Sequence, residues 1–357
     1  MMLTLKQTLA DQEDLASLCA DRSLETDEIF PGNAYYGGDR ILKVYSRYNL
    51  PLKVVIPHGV NLNDHFVWAS EARIPLPAIF SFSPPRTRAY EKETNKVVIP
   101  SASPFLYLIE LLKDQPKPER KGTIFFPLHS DHRVTIEMDF AEIAARLDDF
   151  EEEYKPVTVC LYWKDYVLGR HEAFRRRGLQ VVSAGHLYDP YFFWRFYHLC
   201  SMHRYTAAHH YTSALLYSVK VGCSFFFMES SGYREEAEEA VKEELEDGYE
   251  PADILNLIKA LFRDPIPKAT PKQMEIVDYY LGTAYLQSPE GLREQFLKAE
   301  KWDKSLYWVQ RSEGRRKFLI PTYYQRIIYY LAYLLKKIPE VLRNGLRGWG
   351  QRLPGPG

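Results

Sequence analysis

Cysteine is scarce in this chain. The 357 residues hold four, at Cys19, Cys160, Cys200 and Cys223, and no CxxC pair. That spacing excludes a zinc knuckle and argues against a disulfide-stapled secreted domain, so the thiols are expected to be reduced and mostly buried. Net charge is nearly absent too, with 46 basic against 47 acidic side chains. The molecule as a whole therefore has no field to draw it to nucleic acid or to an anionic membrane. Long apolar runs are missing: the longest late one, Ile327 to Leu335, is about half of the roughly 20 residues a spanning helix needs. The N-terminus, MMLTLKQTLADQEDLASLCADRSLE, has acids where a signal peptide has a basic flank. These absences predict a cytoplasmic protein. Among chemical fingerprints, GxxxxGK[ST], GxGxxG after a strand, GxSxG and HExxH are all lacking. P-loop, dinucleotide, α/β-hydrolase and zinc-protease readings lose ground accordingly.

What is present is core-forming material, 46% hydrophobic and 14% aromatic. A single core rarely grows past about 250 to 300 residues, so two domains are the starting expectation. Short runs rich in Val, Ile and Phe, KVVIP at 53–57, PAIFSF at 77–82, KVVIP at 96–100 and TIFFP at 123–127, read as buried parallel strands of a first α/β unit. PFLYLIELLK at 104–113 reads as a crossover helix with Pro104 in its first turn. Asp139 is the expected N-cap of FAEIAARLDDFEEEY, and the acidic run that follows ends at Lys155 and Pro156. The boundary is placed there: 1–154 an N-terminal Rossmann-like domain, 155–302 a second one, and 303–357 a basic helical tail.

After the boundary the alternation restarts with VTVCLYW at 157–163 and LQVVSAG at 179–185. Helices over 190–202 and 212–221 and a strand at 223–229 complete βαβ grammar over 156–229. The acidic stretch 234–250 reads as a solvated helix face or loop. From Ile254 onward the pattern is helical, over 252–263 and 271–302 and again from Arg315, with no convincing strand.

All ten histidines lie between residues 58 and 210. His58, His129 and His186 each follow an expected strand, where open α/β sheets bind ligands. A single strand-end histidine is ordinarily structural; three at equivalent places point to a shared cleft. As general base, His58, His129 and Asp131 are the candidates. His129, Ser130, Asp131 and His132 crowd imidazole and carboxylate into four residues, but adjacent turn residues seldom converge on one ion, so no metal is expected. Thr212 and Ser213 open an apolar helix that stops at Gly222. A helix start offers free N–H groups and the positive dipole end, which suits a phosphate. His203 and Arg204 could add charge, against a plain reading in which Thr212 or Ser213 is an ordinary N-cap and Arg204 pairs with a surface acid.

The segments GNAYYGGDRILKVYS (32–46), VIPHGV (55–60), VIPSASPFLY (98–107), GTIFFPLHSDH (122–132), VTVCLYWKDYVLG (157–169) and 181–227 together resemble GT-B-fold glycosyltransferases of bacterial surface-polysaccharide biosynthesis. The resemblance covers roughly residues 30–230 and implies two Rossmann-like domains facing across a cleft, with a helical C-terminal extension. It implies transfer of a sugar from a nucleotide-diphosphate sugar to a saccharide or lipid-linked acceptor, independent of metal and of any cofactor. His58 and the His129–Asp131 turn would face the acceptor. His186, His203, Arg204, Thr212 and Ser213 would face the donor diphosphate, and Glu229 a ribose or sugar hydroxyl. The chain departs from the pattern at Ala208, His209, His210 and Tyr211, where similar proteins have an Asn and a Gly, and at Cys223 and Ser224 in place of a proline.

The tail from Arg315 carries nine basic residues against the single acid Glu340. It reads either as an amphipathic helix on the inner face of a membrane or as a helix crossing back onto the N-terminal domain. Two other functions compete with the transferase: a nucleotide-sugar epimerase or hydrolase, and a non-catalytic scaffold of polysaccharide assembly.

Overall fold

The structure, a computed structural model, describes residues 2–230, 232–239, 241–242, 248–304, 308–310, 316–318 and 331. It is a mixed α/β arrangement built on two parallel sheets. Val54–Val55 (β1), Ala78–Ser81 (β2) and Val97–Pro100 (β3) form one, in that order, with Val55 opposite Ile79 and Phe80 opposite Ile99. The central strand β2 is buried at all four positions, as the continuous apolar run PAIFSF requires.

The second sheet holds Thr123–Phe125 (β4), Val157–Cys160 (β6), Gln180–Val182 (β7), Tyr205–Ala208 (β8) and Ser224–Phe227 (β9), ordered β7-β6-β4-β8-β9. Every neighbouring pair is parallel. Numbered from its own first strand, this order is 3-2-1-4-5, so the winding reverses between β4 and β8. Open α/β sheets bind ligands at such a reversal, outside the carboxyl ends of the strands.

Several elements differ from the sequence expectation. The strand from TIFFP sits at the centre of the second sheet, paired with β6 and β8, and not with the strands that precede it. β8 was not foreseen, because YTAA has neither β-branched density nor alternation. Val134–Glu137 (β5) and Arg234–Ala237 (β10) make an antiparallel ribbon, so the acidic stretch begins as a strand. The helix expected over 271–302 is two, Pro271–Leu281 and Pro289–Lys304. Gly282 divides them at φ +71°, and a Cβ there would meet the carbonyl oxygens of Phe82 and Ser101 at 2.5 and 2.6 Å. Trp308–Gln310 (β11) and Arg316–Phe318 (β12) form a short hairpin where only helix was expected. The rest of the basic tail, and with it the expected membrane helix, lies outside the described residues. No helix among the described residues is long and apolar enough to cross a membrane.

One apolar core joins the two sheets. It contains Phe80 and Ile99 from the first, Ile124 and Phe225 from the second, and Phe105, Trp194 and Tyr217 from the helices between them. Phe105 packs on Phe193, Phe196 and Tyr217 at ring distances of 5.3, 5.6 and 4.7 Å. The first and last described helices trade places across this core. The helix Leu5–Asp11 lies on the helix Phe192–Ser201, where Thr8 Oγ1 meets His198 Nδ1 at 2.8 Å and Arg195 holds Asp11 at 2.6 Å. Leu15 and Leu18 pack with Phe125 and Val159 of the second sheet. At the other end, Phe296 stacks on Phe80 of the first sheet and on Tyr48, whose hydroxyl donates to Glu300 at 2.7 Å.

Candidate functional site

Where the winding of the second sheet reverses, a cleft of about 760 Å³, counting its open mouth, lies over the strand ends. Phe126, Pro127 and His129 enter it after β4, Tyr162 after β6, Ala184 after β7, and Thr212, Ser213 and Ala214 after β8. Gly59, from the loop after β1, closes it from the first sheet.

The helix Ser213–Val221 begins at this cleft. Thr212 is its N-cap, extended at φ −144°, and its side chain makes no capping bond. Ser213 does not cap either: its Oγ accepts the Val60 N–H at 2.8 Å, and Tyr211 donates its hydroxyl to Val60 O at 3.1 Å. The peptide groups on either side of Val60 are thus gripped from the second sheet. The first N–H groups of a helix have no intrahelical acceptor, and Ser213 and Ala214, which carry two of them, both line the cleft.

His129 stacks on Tyr162 at 4.2 Å, with Nδ1 3.3 Å from Ser130 O. Asp165 lies behind it, fully buried, accepting the Ser130 N–H at 3.1 and 3.3 Å. Burial pushes the Asp165 carboxyl up, and the largest opposing influence is His129. Sequence reasoning missed Asp165 because LYWKDYV reads as an ordinary strand end and helix. The available signal was one acid in an aromatic and apolar stretch at a strand terminus.

Asp131 is largely a turn former, its Oδ1 accepting Arg133 N–H at 2.7 Å and Val134 N–H at 2.9 Å on the way into β5. Its charge still reaches the cleft, where it acts on His58, Tyr36 and Tyr162. His58 packs edge-on against Tyr35 at 5.1 Å. Burial drives it down to about 4, against the pull of Asp131. Tyr35 in turn contacts Tyr188, which stacks on His132 at 5.2 Å and lies 4.9 Å from His186. Aromatic rings therefore link His58 to His132 and His186, and His129 joins them through Tyr162 and Trp163, whose ring lies 4.1 Å from His186. Tyr36, on the cleft wall, sits at φ +59°, a left-handed conformation uncommon for so bulky a residue. Its neighbour Gly37 is left-handed as well.

His186, fully buried, is pushed down to about 4 by burial and then by His132. Its Nε2 lies 3.3 Å from Asp21, and Asp21, His132 and His186 bring one ligand atom each within 4.8 Å of one another. This grouping resembles a metal site, yet His186 Nδ1 accepts the Tyr188 N–H at 3.0 Å. A neutral ring that accepts at Nδ1 carries its proton on Nε2 and has no lone pair there for a metal.

Three expected donor residues lie elsewhere. His203 is buried between Leu199 O at 2.7 Å and Thr158 Oγ1 at 3.1 Å, a structural role. Arg204 is exposed and lies over the Tyr205 ring, before β8. Because β8 runs between them, Arg204 and Thr212 are at opposite edges of the sheet, separated by about 13 Å of strand. Glu229 follows β9 and borders a different depression, with His209 and His210.

No protein-family model matches the chain, and no curated protein matches it. Among solved structures it is similar to a chain in the crystal structure of the GtfA/B complex, with 12% identity and a TM-score of 0.32, over 73% of this chain and 55% of that one. The chain thus spans about half the length of that neighbour. At this identity and TM-score the likeness carries no argument about function.

Proposed function

We propose that the chain is a glycosyltransferase that moves a sugar from a nucleotide-diphosphate sugar to a saccharide or lipid-linked acceptor, without a metal ion. The observation that carries this reading is the cleft at the reversal of winding, lined both by the helix start at Ser213 and Ala214 and by His129 with a carboxylate behind it. In this reading the five-stranded sheet carries the donor and the three-stranded sheet the acceptor. His129 takes the proton of the acceptor hydroxyl, whose oxygen attacks the anomeric carbon. The bond from that carbon to the diphosphate oxygen breaks, and the electron pair leaves with the diphosphate. The N–H groups of Ser213 and Ala214 face the growing charge. Asp165 holds countercharge for the imidazolium; His58, on the acceptor side, and Asp131, in the turn after β4, are the remaining acid–base candidates.

The test is product analysis with a panel of nucleotide-diphosphate sugars and oligosaccharide acceptors. His129→Ala is expected to lower turnover on the order of 100-fold while the melting temperature stays within a few degrees. Turnover within threefold of the parent would sink the assignment of the base. A second reading, a non-catalytic scaffold, is favoured by one observation: among the described residues no Lys or Arg lines the cleft. A thermal-shift screen silent to every nucleotide diphosphate would favour it.

A further inference from the structure

We infer that a second depression, beside the cleft and outside the transferase reading, is a binding site for a phosphate-bearing ligand. It lies between the carboxyl ends of β8 and β9 and the helix Ala252–Leu261, and encloses about 1300 Å³ counting its open mouth. Asn256, Lys259 and Arg263 line one wall. Asn256 and Lys259, three residues apart, share one face of the helix, and Arg263 follows just past its end at Leu261. Lys259 and Arg263 form no ion pair among the described residues, and the acid lining the depression with them is Glu229. Two positive charges at the end of this helix and just beyond it, one of them a planar guanidinium fork, match the oxygens of a phosphate or diphosphate.

The opposite wall supplies a second, independent indication. His209 is 7% exposed, stacks on Phe125 at 5.7 Å, and neither of its ring nitrogens has a hydrogen-bond partner. His210 crosses it at 4.9 Å, meets Tyr233 at 4.5 Å, and leaves its buried Nδ1 unpartnered. Buried polar groups are nearly always paired, so two adjacent unpaired imidazoles facing a cationic wall mark a place where a ligand supplies the partners. Burial pushes His209 down to about 4, with His210 as the next cause. A neutral ring keeps one N–H to donate to an oxyanion. Glu229, on the rim, can accept from a hydroxyl, so the fitting chemistry is a phosphate ester with a hydroxyl-bearing body. This site also gives a purpose to His209 and His210, at which the sequence departs from the family it resembles.

The experiment is calorimetric titration of the full chain with inorganic pyrophosphate and with ribose 5-phosphate. Parent protein, the exposed double variant Lys259→Ala/Arg263→Ala and the cleft variant Ser213→Pro, which removes a helix-start N–H at a position that accepts proline, would be compared, each checked for fold by its melting curve. The parent should bind at least one of the two ligands. The double variant should bind about tenfold more weakly or worse, since each charged contact is worth at least that much. The binding that the double variant loses should be kept in Ser213→Pro. Flotation with phosphatidylglycerol vesicles separates the sources: flotation lost in the double variant, without binding of either soluble ligand, assigns the phosphate to a lipid headgroup. Absence of binding in both arms overturns the inference. So does binding by the double variant within twofold of the parent, and binding lost in Ser213→Pro alone places the anion in the first cleft, leaving the transferase reading intact.

Discussion

Glu71 is fully buried, and the charge it carries at high pH opposes folding. Its Oε2 accepts the Tyr90 hydroxyl at 3.1 Å, while Oε1 is buried without a partner. Burial raises the carboxyl from 4.5 to about 7, with Arg86 the largest opposing influence. A carboxyl that binds its proton more tightly folded than unfolded favours the folded state at low pH. That contribution is fully present below 4.5 and is lost as pH rises through 7. At about 1.4 kcal/mol per pH unit, the loss is about 3 kcal/mol. Glu71→Gln removes the charge at nearly constant shape. Urea denaturation of the parent and of Glu71→Gln from pH 5 to pH 8 should therefore give stabilities that nearly coincide at pH 5. By pH 8 the variant should be the more stable by about 2 to 3 kcal/mol. Parallel pH profiles would refute the reasoning. The effect reaches the cleft, because Arg86 beside Glu71 donates to Asn63 Oδ1 at 2.8 Å and Phe66 O at 2.7 Å, and so anchors the loop that carries Val60.

Asp165→Asn keeps an acceptor for the Ser130 N–H but removes the charge behind His129. Turnover should fall on the order of 10- to 100-fold, and the acidic limb of the pH–rate profile, where the base loses its proton, should move to lower pH; a slower enzyme with an unmoved profile would make Asp165 a packing residue only. Gly37→Ala places a Cβ 2.2 Å from Pro190 O at φ +76° and should cost more than about 2 kcal/mol, read as the denaturation midpoint; an unchanged midpoint would show that the 32–38 loop can move away. Arg204→Ala should leave transfer within about twofold, since Arg204 lies at the far edge of the sheet from Thr212. A large loss in the same transfer assay would return it to the site.

Short runs of Val, Ile and Phe, three of them closed by Pro, made most strands of the two parallel sheets legible, because a parallel strand buried on both faces must be apolar throughout. The helix from Ser213 to Gly222 was legible from its hydroxyl start and glycine stop. β8 was hidden, since Tyr205, Thr206, Ala207 and Ala208 carry no pattern of their own and become a strand only by pairing with β4 and β9. Missing β8 had two consequences. The reversal of winding that locates the cleft could not be seen, and Arg204 was taken as a near neighbour of Thr212. The histidines after β1, β4 and β7 were visible as a class. Their linkage runs through Tyr35, Tyr188 and Trp163, aromatic residues whose side-chain meeting no local spacing encodes. Asp165 was invisible for the same reason, as its significance comes from Ser130 and His129, some 35 residues earlier.

The crossing of the first and last described helices also sets an order of assembly. A ribosome delivers the strands of the first sheet early, yet Phe80 and Tyr48 of that region acquire their partner Phe296 only when nearly 300 residues have been made. The opening helix must likewise wait for Phe192–Ser201. A cut between the sheets would strip Phe80 and Tyr48 of Phe296 and open the shared apolar core to water on both sides.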